Sequence, residues 1–90
     1  MSDNEAKKLF KTIGENIKYY RKLYNLKKGK LTQAELAEKA NVSTALIGNL
    51  ESEHIEQGIS VYTLWKISQI LEVPIEKLFD TSDFKTRKID

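Results

Sequence analysis

The chain has 90 residues, of which 40% are hydrophobic, and a net charge of +2, enough for one small domain with a single core and too little for two. It has no cysteine, which removes disulfides and thiolate metal sites. No apolar run approaches the length of a membrane span, and MSDNEAKKLF has no signal-peptide core, so the expected location is the cytoplasm.

Residues 1–5 read as a flexible N-terminus. The first predicted helix runs from about residue 6 to Tyr24, because Phe10, Ile13, Ile17, Tyr20 and Tyr24 recur at spacings of three and four. Asn25 tolerates a left-handed backbone and is the expected stop. Leu26–Lys30 (LKKGK) then reads as a short basic loop with Gly29 as its flexible point. The charge is unevenly spread. Residues 1–30 hold nine Lys or Arg and three acids, a charge of +6, whereas residues 31–90 hold six and ten, a charge of −4. A basic third of this kind can attract a polyanion or simply be a solvated helix surface.

Thr32 opens the second helix. Thr32-Gln33-Ala34-Glu35 has the pattern of a capping box, in which the hydroxyl accepts from the N3 amide and the carboxylate reaches back. Leu36, Ala37 and Ala40 form its apolar face. Asn41 suits a tight turn, Val42 plugs the corner, and Ser43 caps the third helix. That helix carries Leu46, Ile47 and Leu50 inward. Ser52–Ser60 (SEHIEQGIS) is polar and reads as a loop. Ser60 caps a fourth helix, with Val61, Leu64, Ile67, Ser68 and Leu71 on its inner face. Pro74 fits the start of a short fifth helix, Ile75–Phe79, and residues 80–90 read as a C-terminal tail. The expectation is an all-α, compact five-helix bundle over residues 6–79.

The segment LTQAELAEKANVSTALIGNLE, residues 31–51, followed by TLWKISQILEVPIEKLF, residues 63–79, resembles the Cro and phage-repressor type (xenobiotic response element family) of helix-turn-helix protein. The family pattern is a Gln, Leu-Ala three residues on, a small turn with Val-Ser, then Ile and Glu four apart. Here these are Gln33, Leu36-Ala37, Asn41-Val42-Ser43, Ile47 and Glu51. Leu64, Ile67, Leu71, Val73 and Leu78-Phe79 extend the match over residues 13–79. The resemblance implies a lambda-repressor-like fold and a transcriptional regulator that binds double-stranded operator DNA, usually palindromic, as a symmetric homodimer.

By the same resemblance, Thr44, Ala45, Gly48 and Asn49 face the major groove. Asn49 can pair bidentately with adenine, and the Thr44 methyl and Ala45 can pack on a thymine methyl. Gly48 either allows close approach to DNA or reflects tolerance of an exposed face. In the family the glutamine at Gln33 contacts the DNA backbone, which agrees with its place at a helix N-terminus; otherwise it is a solvent-exposed first-turn residue. Thr32 and Ser43 join it as backbone contacts. Arg21 and Glu51 match positions that form a structural ion pair, the other reading being Arg21 on a phosphate. Lys27, Lys28 and Lys30 lie in an apparent insertion and are candidates for phosphate contacts or for a solvated loop.

Other features pull elsewhere. No Lys or Arg lies between Val42 and Leu64, while Glu51, Glu53 and Glu56 do, and His54 reads as a surface histidine. Trp65 is not needed for the inner face of the fourth helix. With Ile70, and Ile89 or Phe84 nearby in sequence, it marks a dimer or partner surface, or else it caps the core edge. The competing function is a helical protein-interaction module or antitoxin-like partner with weak or lost DNA binding. An enzyme is disfavoured: there is no Ser/His/Asp set and no Gly-rich phosphate loop, and Glu35 and Glu38 read as solubilising charges. Neither a cofactor, a metal nor a small-molecule ligand is expected.

Overall fold

The computed structural model describes residues 3–52 and 58–81. Among these residues, four α-helices, α1 (Asp3–Lys27), α2 (Gln33–Ala40), α3 (Thr44–Glu51) and α4 (Val61–Leu71), are followed by a 3-10 helix, Ile75–Phe79. The fifth helix expected from the sequence is therefore not α-helical. Pro74 stands at its N-cap without a side-chain hydrogen bond, and five residues form too short a run to favour the α form over the tighter one.

The short helices are bounded by local chemistry. Thr32 Oγ1 accepts from Glu35 N–H at 3.1 Å while Thr32 N–H donates to Glu35 Oε1 at 2.9 Å, so the capping box is complete. Asn41 ends α2 in the left-handed region, φ 57°, and Val42 N–H reaches back to the Ala37 carbonyl at 2.9 Å, a Schellman-type end. Ser43 caps α3 by accepting from Leu46 N–H at 3.1 Å. Ser60 caps α4 in the same way through Thr63 N–H at 3.0 Å.

α1 is longer than its periodicity indicated. It starts at Asp3, so Asp3–Glu5 are helical rather than a flexible lead, and it continues past Tyr24 to Lys27. Asn25 does not end it, because its amide is used for something else. Asn25 Nδ2 donates to Leu31 O at 2.9 Å, and Asn25 Oδ1 accepts from Leu31 N–H. One side chain thus satisfies both main-chain groups of a buried residue and clamps the connection to α2. Of the expected LKKGK loop, Leu26 and Lys27 belong to the helix. The reversal falls to Gly29 at φ 136°, a value that L residues rarely adopt.

The core is assembled from every helix: Ile13 and Ile17 of α1, Leu36 of α2, Ile47 and Leu50 of α3, Ile67 of α4, and Leu78 of the 3-10 helix are each at most 1% exposed. Burial of each such side chain is worth about 1.5–3 kcal/mol, which is why α2 and α3, each of eight residues and too short to persist alone, are stable here. Leu64, Ser68 and Leu71 are buried as expected, but Val61 is 73% exposed. The first turn of α4 overhangs the core, whose edge is Leu64. The C-terminal 3-10 helix is pinned by Asn16, a fully buried amide that donates to Leu78 O at 2.8 Å and Asp80 O at 2.9 Å. Glu53, His54, Glu56, Phe84 and Ile89 lie outside the described residues.

Candidate nucleic-acid interface

α3 is divided lengthwise. Ile47 and Leu50 are fully buried, whereas Ser43, Thr44, Ala45 and Asn49 are exposed and Gly48 is half-buried. The helix is therefore held by one stripe and presents the other, with its capped N-terminus at the surface. A helix with such an exposed face fits the width of a B-DNA major groove. α3 contains no basic residue, so positive charge must come from its surroundings. Lys7, Lys8, Lys11, Lys18, Lys22 and Lys27 are exposed along α1, and Lys30 is exposed in the connection to α2. Lys28 is also exposed but forms an ion pair with Glu72.

Behind α3 lies a polar knot. Arg21 Nε and Nη2 donate to the two oxygens of Glu51 at 2.7 and 2.9 Å, the bidentate geometry that a guanidinium suits. Arg21 Nη1 also donates to Leu31 O at 3.2 Å. The pair ties α1 to the end of α3, with side-chain exposures of 12% for Arg21 and 2% for Glu51. The Glu51 hydrogen bonds raise the Arg21 pKa above its already high ordinary value, against the opposing effect of burial. Gln33 joins the same knot, since its Nε2 donates to Glu51 Oε1 at 3.0 Å. Gln33, expected either to meet the DNA backbone or to be a solvent-exposed first-turn residue, is thus tied across to α3. Thr32 and Ser43 have their hydroxyls committed to helix caps.

The turn between α2 and α3, the short α3 and the knot beneath it have the arrangement of a helix-turn-helix. A family model described as helix-turn-helix matches residues 17–78. The chain belongs to the Cro and phage-repressor type helix-turn-helix family. It is thus a DNA-binding helix-turn-helix regulator domain. No curated protein and no solved structure matches it significantly.

On this helix-turn-helix domain, Trp65 is 47% exposed and stacks on Tyr62, with ring centroids 6.2 Å apart and an interplanar angle of 16°. Lys66 Nζ lies 4.7 Å from the Tyr62 ring centroid. Ile70, by contrast, is half-buried against the core. Among the described residues, no group of three His, Cys, Asp or Glu could hold a metal, and no helix is long and apolar enough to cross a membrane.

Three residues that position this surface carry structural roles that the sequence does not assign to them. Gly14 lets α1 approach α3, Asn16 pins the C-terminal turn, and Asn25 clamps Leu31. Gly14 and Asn16 did carry a signal: both fall beside Ile13 and Ile17 on the predicted inner face, where a glycine or an amide is unexpected.

Proposed function

We propose that this domain is a sequence-specific transcriptional regulator, a repressor or autoregulator, that lays α3 in the major groove of operator DNA. The observation that carries the reading is the division of α3: a fully buried Ile47/Leu50 stripe backs an exposed face of Thr44, Ala45 and Asn49. Asn49 would bond an adenine edge, while Thr44 and Ala45 would meet thymine methyls and the small Gly48 would let the helix sit close. The strand backbone would pass the N-termini of α2 and α3, at Thr32, Gln33 and Ser43. The amides that open α2 have no intrahelical acceptor and favour an anion. Lys27, Lys28 and Lys30 would add charge to that side.

A symmetric dimer on a palindromic operator is part of the same reading, and the exposed Trp65, with Ile70 nearby in sequence, is the candidate contact between copies. Selection from random oligonucleotides with the purified protein tests the whole reading. A palindrome whose half-sites are about one helical turn apart is expected. No enrichment, together with no gel shift at low salt, would sink it. It would leave the second reading, a protein-interaction module with weak or lost DNA binding, which the absence of any basic residue on α3 favours.

A further inference from the structure

Gln33 belongs to α2, yet its side-chain amide lies over α3. Nε2 is anchored on Glu51 Oε1 at 3.0 Å. A carboxylate only accepts hydrogen bonds, so the nitrogen faces Glu51 and the amide oxygen is turned away from it. That oxygen, Oε1, lies 3.6 Å from the point where a Cβ on Gly48 would stand. Gly48 is half-buried, beside the exposed Asn49 and one turn after the exposed Ala45. The glutamine amide thus occupies the margin of α3 that Gly48 leaves without a side chain.

From this juxtaposition we infer that Gln33 is a specificity-determining residue, whose Oε1 accepts from the exocyclic amino group of an adenine or a cytosine in the major groove. This rests on the groove docking of α3 proposed above. Adenine N6 and cytosine N4 are the base-edge donors in that groove. A phosphate oxygen is itself an acceptor and cannot pair with Oε1, so Oε1 suits a base edge, while the second hydrogen of Nε2 stays available to the strand backbone. The main-chain amides at the start of α2 remain for the phosphate. Arg21 holds Glu51 through both oxygens, so the acceptor is oriented before DNA arrives, and binding does not have to order it. The reading surface is therefore composite, with α3 supplying Thr44, Ala45 and Asn49 and α2 supplying the atom that Gly48 cannot.

The test is parallel random-oligonucleotide selection with the native protein, Gln33→Ala and Gln33→Met, each first checked for cooperative thermal unfolding. The methionine keeps the length without the amide and serves if the alanine variant does not fold. The native protein is expected to prefer A or C at one position in each half-site by about tenfold. Both variants should use the four bases there nearly equally while keeping the rest of the motif. If the variants select the native motif unchanged and merely bind every sequence more weakly, Gln33 serves the backbone or the architecture and the inference is wrong. A native protein that enriches no motif would overturn the groove-docking reading itself, and this inference with it.

Discussion

Gly14 of α1 faces the main chain of Leu50 at the end of α3: a Cβ on Gly14 would stand 1.8 Å from the Leu50 carbonyl oxygen and 2.8 Å from its carbon. The obstruction is backbone, so it cannot swing aside as a side chain would. Gly14→Ala must push α1 off α3 and loosen the Arg21–Glu51 bridge that spans the same interface. An overpacked core position typically costs about 1–3 kcal/mol, and a contact this close belongs at the upper end. The melting temperature should fall by roughly 15 °C, since each kcal/mol moves a domain of this size by about 4–8 °C. An alanine variant that melts with the native protein would contradict the packing described.

The difference between Gly14 and Thr32 explains what was legible in the sequence. The caps of α2, α3 and α4 are written within four residues each, as in Thr32–Glu35, so their signals survive without tertiary knowledge. The buried stripes of α2 and α3 follow from spacing alone. By contrast, Gly14 answers to Leu50, Asn16 to Leu78 and Asp80, and Asn25 to Leu31, partners that only the folded chain brings close. Asn25 reads as a helix stop because its left-handed tolerance is a local property, whereas its use as a clamp on Leu31 is not. Gln33 was placed correctly at the head of α2, but its hydrogen bond to Glu51 connects two helices and leaves no local trace.

Arg21 and Glu51 form a pair that is worth little as a sum and much as a partnership. Removing one member leaves a buried charge uncompensated, so Arg21→Ala should cost about 3–5 kcal/mol, whereas replacing both by apolar residues of similar size should restore most of it. A double-mutant cycle by urea unfolding measures this. Two single variants whose losses simply add would refute the coupling. Arg21 has its pKa raised on folding. Its contribution is therefore not lost as the pH rises through the neutral and mildly alkaline range.

Glu35 should give the capping box a pH signature. Its pKa is lowered from the ordinary 4.5, first by the hydrogen bond from the Thr32 backbone amide and then by the Thr32 side chain. Folding therefore favours the carboxylate. The stabilisation is fully present above pH 4.5, and it disappears as the pH falls from there through the lower folded value. Glu35→Gln keeps an acceptor for Thr32 N–H but cannot titrate. Chemical-shift titration of the native Glu35 carboxyl, with unfolding of both proteins across the acid range, should show the stability gap between them closing below that point. A Glu35 that titrates at or above its ordinary value would contradict the cap geometry.

Gly48 is the opposite of Gly14. A Cβ there meets only Gln33 Oε1, at an ordinary contact distance of 3.6 Å, and the residue sits in a regular helix. Gly48→Ala should therefore stabilise the domain by up to about 1 kcal/mol through helix propensity. Differential scanning calorimetry reads this directly. A loss of stability would mean that α3 and Gln33 pack more tightly than described.

The lysines at the end of α1 should not contribute equally to DNA binding. Each Lys–phosphate contact contributes roughly 0.9 to the slope of log K against log salt. Replacing Lys27, Lys28 and Lys30 together by alanine should flatten that slope by up to about three units if all three make contacts. Lys28, however, already holds an ion pair with Glu72, whose carboxylate competes with a phosphate for the same ammonium group. Lys28→Ala alone should therefore change the slope less than Lys27→Ala or Lys30→Ala. Removing the competitor with Glu72→Gln should strengthen binding at low salt and steepen the slope, because Lys28 is then released to the DNA. Fluorescence anisotropy with the selected operator across a salt series distinguishes these cases. If the triple variant keeps the native slope, the basic segment is a solvated surface and the charge that draws DNA lies elsewhere, along the exposed lysines of α1.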